Sequence, residues 1–200
     1  SPLSRDTNLV GHWKFDEGSG TTAYDSSGYG NHGTLTNGPA WTTLSSGNKV
    51  LSFDGTNDYV YALDTNNVVG SRSHSLVIWF KTSIGGSMIT KYSTFFQVSV
   101  SEGKGGGRVV LGSCSSSLNP RTPNSVNDNI WRMITQVWNS GIISLYIDGV
   151  KATESNSELF DTMCSGTGQI QIGGYVWGDR ICPASCSLFT GVLSDARIYN

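Results

Sequence analysis

No stretch of this 200-residue chain carries the three-to-four-residue apolar repeat of an amphipathic helix. Its apolar residues fall in short runs, most of them alternating with polar ones, and each run is closed by Gly, Asp, Asn or Ser. Leu9, Gly11, Trp13 and Phe15 alternate with Val10, His12 and Lys14, which predicts a half-buried strand. Lys49 to Phe53 and Tyr59 to Leu63 flank the turn Asp54-Gly55-Thr56-Asn57-Asp58 and predict a hairpin. Trp131 to Trp138, the turn Asn139-Ser140-Gly141, Ile142 to Ile147 and the turn Asp148-Gly149 repeat the pattern. The longest apolar run, Leu76 to Phe80, reads as a strand covered on both faces. It is far short of the roughly 20 residues that cross a bilayer. Residues 25–33 and 118–129 read as loops, the second holding two prolines. About a dozen strands are expected, so the fold class is all-β, a two-sheet antiparallel β-sandwich.

Composition sharpens this. Charged residues are 14% of the chain, against about 25% in an average protein, and 25 residues are glycine. A helical bundle or coiled coil is excluded. Six Trp, eight Tyr and seven Phe are enough to fill a core, which excludes global disorder. The net charge is −2 and no basic run exists, so the electrostatic footprint of a nucleic-acid binder is missing. The length favours one domain, taken as residues 9–200 behind a linker remnant at 1–8.

The four cysteines are Cys114, Cys164, Cys182 and Cys186. They lack the paired spacing of a zinc site, and the histidines at 12, 32 and 74 are remote in sequence. An even number in a low-charge chain points to two disulfides and an oxidising, extracellular setting. Three pairings are open; Cys114 with Cys164 and Cys182 with Cys186 is preferred, because the second closes a short loop over Pro183.

Four segments carry a family likeness. They are Leu9-Val-Gly-His-Trp-Lys-Phe-Asp-Glu-Gly with Asp25-Ser-Ser-Gly and Asn31-His-Gly; Leu51-Ser-Phe-Asp-Gly-Thr-Asn-Asp-Tyr-Val; Ser144-Leu-Tyr-Ile-Asp-Gly-Val; and Phe189-Thr-Gly-Val-Leu-Ser-Asp-Ala-Arg-Ile-Tyr-Asn. In this order they resemble the laminin-G-like, concanavalin A-like jelly-roll family over nearly the whole chain. The resemblance implies a jelly roll with adjacent first and last strands. It also implies a structural Ca²⁺ joining them, held by Asp16 and Asp195 with help from Asp25 and Asn31 or from the turn at Gly55. The competing reading is that Asp and Asn at turns accept local backbone hydrogen bonds, which suits Asp54, Asp58 and Asp148. In related sequences more chain follows the last strand, so a domain of a longer surface or secreted protein is expected.

The family's functions divide into lectins, carbohydrate-binding modules, adhesins and glycosidases. Glycosidases of this fold carry Glu-x-Asp-x-x-Glu on one strand; the four glutamates here, Glu17, Glu102, Glu154 and Glu158, do not form it. A non-catalytic module is therefore expected, binding a glycan or polysaccharide, with an extracellular protein partner or a structural spacer as the alternatives. Among the tryptophans, Trp13, Trp79 and Trp138 read as core, Trp41 as a cap at one end, and Trp131 as open between core and surface. Trp177 is placed as a stacking platform with Tyr175, Asp179 and Arg180 around it, and Lys91, Tyr92 and Arg121 as further lining.

Overall fold

The computed structural model describes residues 6–63, 73–91, 96–111, 116–157, 169–174 and 188–200. These form sixteen strands and, among the described residues, no helix. In chain order they are β1 (Leu9–Trp13), β2 (Thr22–Ala23), β3 (Gly33–Thr36), β4 (Ala40–Thr43), β5 (Lys49–Asp54), β6 (Tyr59–Leu63), β7 (Ser73–Lys91) and β8 (Phe96–Ser101). Then come β9 (Lys104–Leu111), β10 (Ser116–Leu118), β11 (Arg121–Ser125), β12 (Arg132–Asn139), β13 (Ile142–Ile147), β14 (Val150–Asn156), β15 (Gln169–Ile172) and β16 (Thr190–Tyr199). Every pairing is antiparallel.

The first sheet runs β4-β5-β16-β7-β12-β13-β14. β1 continues the β5 position along the second half of β16: Leu193 faces Leu51, whereas Ala196 faces Trp13. The second sheet runs β2-β3-β6-β15-β7-β8-β9, with β10 and β11 both on the far side of β9. β7 belongs to both sheets. Its residues 75–81 pair with β16 and its residues 86–91 with β8. Between them Gly85 and Gly86 turn the chain at φ +120° and +126°, where only glycine is comfortable. A Cβ on Gly86 would land on the backbone of Leu188 and Phe189.

Alternation sets the core. Leu76, Ile78 and Phe80 point inward from β7, facing Gln136, Ile134 and Arg132 across the register. Phe96, Val98 and Val100 of β8 come from the opposite sheet, and Trp13, Phe15, Trp138 and Phe189 fill the space between. The expected jelly roll with neighbouring first and last strands is observed. The 76–80 run is not covered twice, however: Val77 and Trp79 face outward, and Trp79 is 37% exposed. Trp79 is therefore a surface residue, contrary to its reading as core, because β7 obeys the period of two through a run in which every side chain is apolar. Two segments expected as loops also contain strands, β3 beginning at Gly33 and β10 and β11 within 116–125.

Candidate functional site

β16 changes partner from β5 to β1 at Asp195. The register slips between Ser194 and Arg197, and Asp195 takes a left-handed backbone, φ +51°. Such an extra residue re-aims its side chain. The Asp195 carboxylate accepts from His12 Nε2 at 2.7 Å and, in bidentate fashion, from Arg197 Nε and Nη2 at 2.9 and 2.7 Å. Because a carboxylate only accepts, the Nε2 of His12 carries the proton. Burial works against the Arg197 charge, yet its hydrogen bonds to Asp195 and Tyr199 outweigh that, and its pKa is raised. Asp195 N also donates to Lys14 O at 3.1 Å, fastening the ends of β1 and β16 together.

Asp16 and Asp195 do line one cleft, of about 320 Å³, but so do Lys14, Lys49 and Arg197. Asp25 and Asn31 belong to a separate cluster. Asp25, 7% exposed, accepts four hydrogen bonds: His12 N and Ser27 N on Oδ1, Ser27 Oγ and Asn31 N on Oδ2. Asn31 returns Nδ2 to Val10 O and takes Trp13 Nε1 on its own carbonyl. This explains the Asp25-Ser-Ser-Gly and Asn31-His-Gly motifs as a clamp holding the 25–33 loop against β1. Gly55 sits in the β5–β6 turn against Thr190. The five expected calcium ligands thus occupy three places, and the carboxylates of Asp25 and Asp195 are engaged by donors. Among the described residues no group of three or more His, Cys, Asp or Glu side chains is arranged to hold a metal. The two carboxylates that share the cleft, one of them already held by Arg197, supply fewer than the six to eight oxygens that Ca²⁺ takes.

The cleft adjoins a second depression of about 300 Å³, with which it shares Asn48 and Ser194. Trp79 and Trp131 line it, with Leu44 and Val50. The register explains the meeting. Ser194 faces Trp79 on one side of β16, and Val50 follows on β5, whose turn from β4 closes with Leu44 N donating to Asn48 O. Together the two depressions form one trough on the outer face of the first sheet. One end is aromatic, the middle is amide and hydroxyl, and the other end is charged. Two indoles beside polar groups are suited to stacking the C–H face of a sugar ring and orienting its hydroxyls. The sequence alone reads Trp79 as core and leaves Trp131 open between core and surface. Counting the period from polar Ser75 through Val77 to Trp79 carries the signal.

Trp177, Tyr175, Asp179, Arg180, Tyr92 and the four cysteines Cys114, Cys164, Cys182 and Cys186 lie outside the described residues. Lys91 is fully buried, so it lines no surface. Arg121 is exposed and pairs with Glu102. Trp41 packs on the core and donates Nε1 to Gly20 O at 2.8 Å.

Residues 54–200 match the sequence profile of the concanavalin A-like lectin/glucanases superfamily. No curated protein sequence matches the chain. Among solved structures, domain 4 of AbnA, an extracellular arabinanase from Geobacillus stearothermophilus solved with arabinotriose, is 20% identical with a TM-score of 0.72. The match covers 96% of this chain and 92% of that one. The binding domain of Paraclostridial Mosquitocidal Protein 1 superposes at a TM-score of 0.73 with 15% identity, over 96% of this chain and 48% of its own. The binding domain of botulinum neurotoxin DC, solved with rat synaptotagmin II, gives 0.69 and 13%, over 98% and 49%. This chain spans about half the length of the two toxin binding domains.

Proposed function

The chain belongs to the concanavalin A-like lectin/glucanases superfamily, and from that premise we propose that it is a non-catalytic carbohydrate-binding module whose ligand lies in the trough of the first sheet. The observation that carries this reading is the pair Trp79 and Trp131 on an open strand face, with Asn48 and Ser194 beside them. The arabinanase domain, solved with arabinotriose, has the same fold over nearly its full length, which supports the reading. The toxin domain solved with synaptotagmin raises a protein-binding alternative. A protein-docking surface calls for a contiguous apolar patch. Among the described residues the exposed large apolar side chains other than Trp79, namely Tyr24, Leu63, Ile84, Ile130, Ile142 and Val150, sit on separate elements.

The carboxylates support the non-catalytic part of this reading. Glycoside hydrolysis needs two, one acid and one base or nucleophile. Of the pair sharing the trough, Asp195 is held by Arg197 and His12, leaving Asp16 alone. An extracellular setting accords with the four cysteines.

The test is a glycan array followed by calorimetry on the best ligand. Trp79→Ala and Trp131→Ala are each expected to weaken binding at least tenfold, about 1.4 kcal/mol, for loss of a stacking surface. Trp177→Ala is measured alongside them, because the segment at 175–187 is the rival platform. If only Trp177→Ala weakens binding, the trough is not the site.

A further inference from the structure

We propose that the saccharide taken by this trough is acidic, its pyranose ring on Trp79 and Trp131 and its carboxylate or sulfate at Lys14 and Lys49. The inference rests on the carbohydrate-binding reading and adds the ligand's charge to it. The charged end of the trough holds three fixed cations, Lys14, Lys49 and Arg197, and two carboxylates, Asp16 and Asp195. Arg197 and Asp195 satisfy each other through two short hydrogen bonds, so they cancel. Lys14 and Lys49 remain, both exposed, and neither forms an ion pair with a carboxylate among the described residues. Lys49 is nonetheless positioned. Its stem lies across Gly18 and its ammonium donates to Thr43 Oγ1 at 2.6 Å, leaving two protons for a ligand.

The local excess of positive charge runs against the sign of the whole chain, which is −2. A neutral sugar would leave both ammonium groups without a partner. An anionic one would complement them while its ring stays on the indoles. Asp16 is the one free like charge for such a ligand, and it sets a second, opposite expectation.

The probe is an array carrying neutral, uronate, sialylated and sulfated oligosaccharides, with titration of the strongest acidic ligand and its neutral counterpart. Wild type is expected to prefer the acidic member at least tenfold, and 0.5 M NaCl is expected to erase most of that preference. In Lys14→Gln/Lys49→Gln the acid-to-neutral affinity ratio is expected to fall toward one. Lys104→Gln/Arg108→Gln, which removes equal charge from β9 in the other sheet, retains the preference. Asp16→Asn is expected to strengthen the acidic ligand about two- to threefold. Equal binding of acidic and neutral members, with both tryptophan variants still impaired, overturns the acidic proposal and leaves the carbohydrate reading standing. Absence of binding to any glycan overturns both, and a preference surviving the double lysine variant overturns the placement of the charge.

Discussion

His74 shows how a single side chain can make the fold depend on pH. It points inward at the start of β7, 2% exposed, its ring 5.0 Å from that of Phe96. Both ring nitrogens are buried with no hydrogen-bond partner. Burial, and then the charge of buried Lys91, push its pKa from 6.5 to about 3. The folded value lies below the unfolded one, so between about 3 and 6.5 the unfolded chain binds the extra proton. Stability from this residue is complete above pH 6.5 and is lost as pH falls toward 3, at up to about 1.4 kcal/mol per pH unit. Urea unfolding from pH 7 to pH 5 in the wild type and in the His74 variant reads the effect as a difference of slopes. His74→Leu is expected to flatten that slope; an unchanged slope would mean another group carries it.

At the scale of the element, β7 and the junction of β1 with β16 decide most. The bend of β7 leaves no room for a side chain at Gly86, and its φ is one that L residues avoid. Gly86→Ala is expected to cost about 2–4 kcal/mol by chemical unfolding. Gly149→Ala, also at positive φ but with nothing within 4 Å of the added Cβ, costs about 1 kcal/mol. Equal losses would show that the backbone conformation, and not the contact with Leu188, sets the cost at Gly86. At the junction, His12, Asp195 and Arg197 bind one another where the family resemblance implied a calcium ion. EDTA is accordingly expected to leave the melting temperature unchanged; a fall of several degrees would return an ion to the structure by mass action. The strands themselves were legible wherever polar and apolar residues alternate, as in 9–15, 49–53 and 131–138. They were not legible in β2, β3, β10 and β11, where Gly, Ser, Thr and Pro dominate and pairing is set by neighbours distant in sequence.

Across the whole molecule, no plane separates the chain into two independent layers. β7 is hydrogen-bonded in both sheets, and β16 reaches Gly85 at the bend. One cooperative thermal transition is expected, with calorimetric and van't Hoff enthalpies equal. Two resolved transitions would mean that the sheets melt separately. The same long-range assembly explains why the trough was hidden in the sequence. Trp79 and Trp131 are joined by Val50 and Ser194, residues brought together only through the register of β5, β16, β7 and β12. The clamp at Asp25 was visible as a motif, but its role depends on His12 and Val10, which stand on another element.

The pairing of β1 with β16 also fixes how the fold bears a load. Asn200 N donates to Asn8 O at 2.8 Å, so the two ends of the described fold lie side by side at one edge. Opposed tension on those ends acts across the ladder, not along it, and parts its hydrogen bonds one after another, like a zipper. Rupture should therefore begin at Asn8 and Asn200 and travel along the seam until it meets the knot of His12, Asp195 and Arg197. At that knot side chains as well as backbone resist the pull.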